Sequence, residues 1–341
     1  RSEDVRARIN VLSELAPEWD AALATWQEIN RSKKIMVGDG LVPDGNVDHL
    51  IYHSMLGAWP FHDDEIGAFR ERLKEYLLKA SREAKTHTSW IDQNSAYEDA
   101  LTGFVDRILV DDRDDPFLQD FLKLQEITAF QGALNSLSQT LLKITMPGVP
   151  DFYQGTELWD LSLVDPDNRR PVDYELRTAL LDELMAGDES GPPDDLLTNW
   201  TSGRVKLYVT WKALCARRSE AALFRHGEYL PLQPSGIVGR HVVAFARTFS
   251  NLWAISAAPR LTVTLARLRD LSFMSMPVGE PFWREMTIAL PDGSPDRWTN
   301  VLTGEVLVAS NDAGQRELRL SQLLGTFPAA MLIGESGPAG V

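Results

Sequence analysis

The sequence predicts an α/β protein: the C-terminal part of a (β/α)8 TIM barrel with a large α-helical insertion, followed by an antiparallel β-sandwich domain. Three observations predict it. Apolar residues recur at three- and four-residue spacing from the start of the chain to about residue 145. A single short apolar stretch, Val149 to Tyr153, then follows Pro147-Gly148, which cannot continue a helix. Beyond about residue 225 the apolar period becomes two. A lone buried strand between long helices has no partner for its backbone groups. As the last strand of a β/α barrel whose earlier strands lie upstream, it would have one.

The elements follow in order. Residues 1 to about 32 read as helix, with Val5, Ile9, Leu12 and Leu15 on one face, an interruption at Pro17 and a second run from Ala21 to Asn30. Ser2 is placed to cap the first turn, where Glu3 and Asp4 suit the positive end of the dipole. A chain that opens inside a helix in this way is expected to be a piece of a longer one. Residues 38–47 are rich in turn formers and read as loop. Helices are expected over Asp48 to Ala58, Asp63 to Glu83 (Phe69, Leu73, Tyr76 and Leu77 on one face), 96–110 and 116–145, the last with Phe130, Leu134, Leu137 and Leu141 in line. Asp111 to Asp115 reads as a solvated loop rather than a metal site. After the expected strand comes a polar loop to about Val172, then helix from Tyr174 to Met185, a surface loop at 187–195 and helix from Arg204 to Arg218. Strands are expected at His241 to Arg247, Leu252 to Ala257, Leu261 to Leu265, Glu285 to Leu290 and Ala329 to Ile333. Three regions result: a helical region over 1–130, a helix–strand–helix region over 131–225 with a loop at 153–173 facing the active site, and a β domain over 226–341.

Composition narrows the function. The 341 residues are 44% hydrophobic and 24% charged, as in a soluble globular chain of about two domains. The formal net charge of −15 opposes binding to nucleic acid or to an anionic membrane. It does not oppose a neutral sugar polymer. One cysteine, Cys215, allows no internal disulfide, fits a reducing compartment and reads as a small buried apolar residue. No Cys/His set has zinc spacing, no apolar run is long enough to span a membrane, and no signal peptide is evident, so the expected location is cytoplasmic. No metal or cofactor is expected.

The chemistry gathers in one segment, PGVPDFYQGTELWDLSLVDPDNRRPVDY from Pro147 to Tyr174. In a β/α barrel, residues at the C-terminal ends of strands and in the loops after them face the active site. Here that loop brings Gln154, Glu157, Trp159, Asp160, Asp165, Asp167, Asn168, Arg169 and Arg170. Carboxylates and guanidinium groups can fix sugar hydroxyls, and an indole can cover the apolar face of a ring. The competing reading is a turn at Asp165-Pro166-Asp167-Asn168, with Arg169 or Arg170 in a structural ion pair.

The segment resembles the eighth-strand region of the α-amylase superfamily (glycoside hydrolase family 13), in which a PGVP-x-x-Y-x-G-x-E pattern recurs. It matches at Pro147, Gly148, Val149, Pro150, Tyr153, Gly155 and Glu157. DPDNRRP, from Asp165, is most similar to the maltooligosyltrehalose synthase branch. So are RSEDVRARINVLSE from Arg1, LIYHSMLGAWP from Leu50, AKTHTSWIDQNSAYEDAL from Ala84, the run from Gly132 to Tyr174 and HVVAFAR from His241. The resemblance implies an isomerase, an intramolecular transglycosylase of trehalose biosynthesis. It would turn the reducing-end α-1,4 linkage of a maltooligosaccharide into an α,α-1,1 linkage.

That family's nucleophilic Asp, acid/base Glu and stabilising Asp all lie upstream of the position matching Arg1, so no catalytic residue is assigned in this chain. The chain alone is expected to be inactive, and the missing N-terminal barrel portion is its expected partner. Asp165 and Arg169 map onto sugar-contacting positions, with Tyr153 and Gln154 as supports at the strand end and Glu157 read as structural. Arg1 and Glu3 would border the reducing-end pocket. His87 and Trp90 would either stack on sugar or form a packed capping turn. The alternatives are an α-1,4-glucanotransferase or α-glucan hydrolase of the same superfamily and a non-catalytic glucan-binding fragment.

Overall fold

The computed structural model describes residues 2–112, 114–165, 167–187, 191–312 and 314–334. Two compact units result, one of Arg1–Gly132 with Asp160–Val172 and one of Ala133–Trp159 with Asp173–Val341.

The first unit is helical. It holds α1 (Glu3–Asn10), α2 (Ala16–Ile29), a hairpin of β1 (Ile35–Val37) and β2 (Gly40–Val42), α3 (Gly45–Ala58), α4 (Ile66–Ala84), α5 (Ser95–Ile108) and the first part of α6 (Pro116–Thr145). Its core includes Trp26, fully buried, with the rings of Tyr52, Phe117 and Phe121 at 5.4–5.9 Å and its indole N–H donating to Asp120 at 2.9 Å. The helix starts are written in short acceptors. Asp44 receives the amides of Asn46 and Val47, Asn94 that of Tyr97, and Asp115 those of Phe117 and Leu118. Asp115 in this role accounts for the end of the acidic stretch at 111–115. Ser2 departs from expectation. It sits at φ 62° and makes no cap; its hydroxyl accepts from Arg6 instead. Pro17 begins α2 rather than interrupting a helix, because a first-turn proline gives up no helical hydrogen bond. The loop expected at 38–47 holds β2, whose three residues are too few to show a period.

The second unit begins with the rest of α6 and continues through α7 (Tyr174–Ala186), α8 (Arg204–Ser219) and α9 (Ala221–His226). Six further strands build an antiparallel sheet, five of them ahead of the last strand of the unit. The five are β3 (Glu228–Leu232), β4 (Val242–Phe249), β5 (Leu252–Pro259), β7 (Arg297–Asn300) and β8 (Val306–Val308); with β11 (Ala330–Gly334) the order is β3-β4-β5-β11-β7-β8. A three-stranded antiparallel sheet has the order β6 (Thr287–Ala289), β10 (Gln315–Arg319), β9 (Ser310–Asp312). Short helices α10 (Thr262–Arg269), α11 (Gly279–Trp283) and α12 (Leu320–Leu323) lie in the connections.

Strand β5 is buried on both faces, and its alternation shows why. Trp253, Ile255 and Ala257 join Ile288 and Leu318 of the smaller sheet in one core, while Leu252 and Ala254 face Leu141, Val205 and Val209 of the helices in another. Arg247 of HVVAFAR is buried. It donates to the carbonyls of Thr145, Phe224 and Gly227, so that one guanidinium ties the ends of α6 and α9 to β4.

Two strand expectations fail. Residues 262–269 form α10, not a strand: Thr262, Val263, Leu265 and Ala266 are the buried positions, a helical face that the alternating Thr-Val-Thr-Leu had disguised. Residues 149–153 also form no strand. The segment is irregular, and Val149 is 94% exposed. A barrel strand is made by the ladders on its two sides, and no described residue pairs with this segment.

Candidate functional site

The expected sugar-binding loop divides between the units at Trp159/Asp160, and each part is held from its own side.

In the second unit, Gly155 takes φ 92°, a turn that an L side chain rarely adopts, and Thr156 bonds back to the Tyr153 carbonyl. Arg177 of α7 then fixes the segment. It donates to the Gly155 carbonyl at 2.8 Å, to Glu157 at 3.1 Å and to the Asp173 carbonyl at 3.0 Å. Glu157 is therefore held as a structural partner. Asp173 caps α7 by receiving the amide of Leu176. The Trp159 indole donates to the Trp200 carbonyl, and the ammonium of buried Lys206 lies over its ring at 5.8 Å. Tyr153 and Gln154 stay exposed, with Gln154 accepting from the Tyr174 hydroxyl at 3.3 Å.

In the first unit, the loop closes on Asp167. This carboxylate is buried and receives both nitrogens of a forked Arg72 on α4 at 2.9 Å, the Leu163 amide at 2.7 Å and Arg170 at 2.7 Å. Arg72 also donates to the Leu161 carbonyl at 2.8 Å. One end of the segment is pinned by Asp4 of α1, which accepts the Asp160 amide at 2.7 Å. Asp165 and Arg169 are joined to each other at 2.7 Å, the guanidinium largely solvated and the carboxylate half-buried. The ion pairs of the competing reading are both present, Asp167 with Arg72 and Arg170 and Asp165 with Arg169. Sequence reasoning missed Arg72, whose spacing from the loop carries no signal.

The other expected site residues lie apart from this network. Glu3 is in the first turn of α1 and half-buried; Arg1 lies outside the described residues. His87 bonds Asp44 at 2.6 Å and stacks on Tyr97 at 4.7 Å. Burial favours the protonated form of Asp44, but the Val47 and Asn46 amides and His87 outweigh it and hold the carboxyl below its usual range. Trp90 is 53% exposed, with the Arg82 guanidinium over its ring at 5.0 Å. Thr88, between them, donates to Glu98, which also takes both nitrogens of Arg82. His87 and Thr88 thus form a packed turn that presents Trp90 outward. Cys215, expected in the core, is half-buried, as is Trp211, and both line a cavity of about 950 Å³ in the second unit, together with Val149, Leu207 and Phe224. Among the described residues no group of three or more His, Cys, Asp or Glu could hold a metal, and no helix is long and apolar enough to cross a membrane.

Comparison with known proteins bears on what this surface is for. A protein of Mycobacterium tuberculosis named as a maltooligosyl trehalose synthase is 36% identical over 304 residues, which is 89% of this chain and 33% of the relative. The chain is related to the maltooligosyltrehalose synthases. The solved maltooligosyltrehalose synthase of Arthrobacter ramosus superposes with a TM-score of 0.75 at 32% identity, over 97% of this chain and 37% of that one. A second crystal structure of a maltooligosyl trehalose synthase matches with a TM-score of 0.69 at 28% identity, over 97% and 38%. The chain therefore spans about a third of the length of the curated relatives and corresponds to a C-terminal portion. No family model matches it.

Proposed function

We propose that the chain is part of an intramolecular transglycosylase that converts the reducing-end α-1,4 linkage of a maltooligosaccharide into an α,α-1,1 linkage, giving a maltooligosyl trehalose. The observation that carries the reading is identity of 36% over 89% of the chain to a protein named for that activity. The arrangement of the 160–172 segment supports it: a pinned loop leaves one carboxylate partly and one guanidinium largely open to solvent. In this reading Asp165 and Arg169 hold sugar hydroxyls through charge-assisted hydrogen bonds. Trp90, Tyr153 and Gln154 offer further contact surface, and Arg1 and Glu3 border the reducing-end pocket. The carboxylates that break and form the glycosidic bond belong to the upstream portion, as in a retaining mechanism with a nucleophile and an acid/base. This chain supplies wall and subsites that keep water from the intermediate, and alone it is inactive.

The same reading makes residues 149–153, irregular in this chain, the last strand of a barrel once upstream strands pair with them, and the β portion a sandwich, in the division 1–130, 131–225 and 226–341. The upstream portion would then cover the apolar cavity beside Val149 in the second unit. The location is cytoplasmic.

The test is product analysis. The full-length protein, given maltopentaose, should accumulate a non-reducing sugar of unchanged mass. Shorter reducing sugars as the main product would indicate a hydrolase or an intermolecular glucanotransferase instead. This chain alone should leave maltopentaose untouched.

A further inference from the structure

The helical unit holds a pair of histidines that the proposed activity does not use. His49 and His53 stand four residues apart on α3, so they project from one face of the helix, one turn from each other. Their ring centroids are 4.3 Å apart. Trp19 of α2 walls the pair on one side, stacked on His53 at 4.6 Å and 24° and edge-on to His49 at 5.4 Å. Both imidazoles are half-buried. With the described residues, no ring nitrogen of either makes a hydrogen bond.

The geometry points to a two-histidine chelate for a borderline divalent transition cation at His49 and His53. With metal–nitrogen bonds of about 2.0–2.1 Å, an imidazole centroid lies about 3.2 Å from the metal, and two cis ligands at a right angle put their centroids about 4.5 Å apart. The observed 4.3 Å differs from this by a few tenths of an ångström, so rotation of the rings about their side-chain bonds suffices. The i, i+4 spacing is the one by which two histidines on a single helix share a metal. Water completes the coordination.

Imidazole ligands favour Cu2+, Ni2+ and Zn2+ over Mg2+ and Ca2+, and affinity should follow the order in which Cu2+ exceeds both Ni2+ and Zn2+. Neither ring is oriented by a hydrogen bond to a described carboxylate or carbonyl, so binding is weaker than at a closed structural zinc site.

The experiment is calorimetric titration of Cu2+, Ni2+, Zn2+ and Mn2+ into this chain, with His49→Gln, His53→Gln and, as control, His226→Gln. The expected result is one equivalent of Cu2+ bound most tightly, Mn2+ least, with binding weakened about tenfold or more by either α3 substitution and unchanged in the control. Cu2+ should also place two imidazole nitrogens in its electron paramagnetic resonance spectrum, a readout that needs no variant to fold. No Cu2+ binding by the parent chain, equal binding by the α3 variants, or a spectrum with a single nitrogen ligand would overturn the assignment. Because the readout is metal binding, failure here leaves the glycosyl-transfer reading standing, and failure there leaves this one.

Discussion

Asp165 and Asp167 sit two residues apart in one loop and have opposite fates. Asp167 is buried and takes hydrogen bonds from Arg72, Arg170 and the Leu163 amide; Asp165 is half-buried and pairs with the exposed Arg169. The pair shows how one loop divides its charges. One carboxylate holds the loop rigid while its neighbour stays partly open to solvent. A buried carboxylate with this many donors is worth much to the fold and is closed to a ligand. A partly exposed ion pair contributes little to stability.

The comparison can be broken at several points. The largest expected effect is at its buried end. Arg72→Met leaves a buried carboxylate short of its main partner and should cost about 3 kcal/mol or more in chemical denaturation of this chain. A loss like that of an ordinary surface substitution would show that Asp167 does not anchor the loop. Arg177→Met comes next. It frees Glu157, which is half-open to solvent, and the carbonyl of buried Gly155, and should cost about 1–2 kcal/mol by the same measurement, with faster amide exchange over 153–158.

Glu98 sharpens the rule on a second carboxylate. Its hydrogen bonds from Arg82 hold its pKa below the usual range, with burial opposing them and Thr88 assisting. A carboxylate lowered in the folded state adds stability above its unfolded pKa, and that stability is lost as pH falls through the folded value. Glu98→Gln should therefore flatten the loss of stability between about pH 5 and 3, measured by denaturation at each pH. An unchanged slope would show that the Arg82 pair contributes nothing there. The smallest effect on the fold belongs to the exposed end. Asp165→Ala or Arg169→Ala should move stability by less than about 0.5 kcal/mol.

Much of this was legible in the sequence. Helices α4 and α5 carry a clear 3.6 period, and β4, β5 and β11 declare themselves through apolar content that the sheet buries. Short strands such as β7 and β8 hold three or four residues, too few for a period to show. α10 opens with β-branched residues whose local preference is overruled by a buried helical face. Residues 149–153 are apolar yet form no strand, because strand formation depends on pairing and not on composition. In the loop, the residue types suited to sugars were plain, but which Asp is buried was not. That choice is made by Arg72, 95 residues from Asp167 in the chain.

The most direct test sets the two aspartates side by side in the full-length protein, with Asp165→Asn and Asp167→Asn measured for unfolding and for conversion of maltopentaose to non-reducing product. The account predicts that Asp165→Asn keeps its melting temperature and loses turnover about tenfold or more, as for a lost charge-assisted contact, while Asp167→Asn lowers the melting temperature clearly. Full turnover in Asp165→Asn, or a melting temperature unchanged in Asp167→Asn, would contradict it.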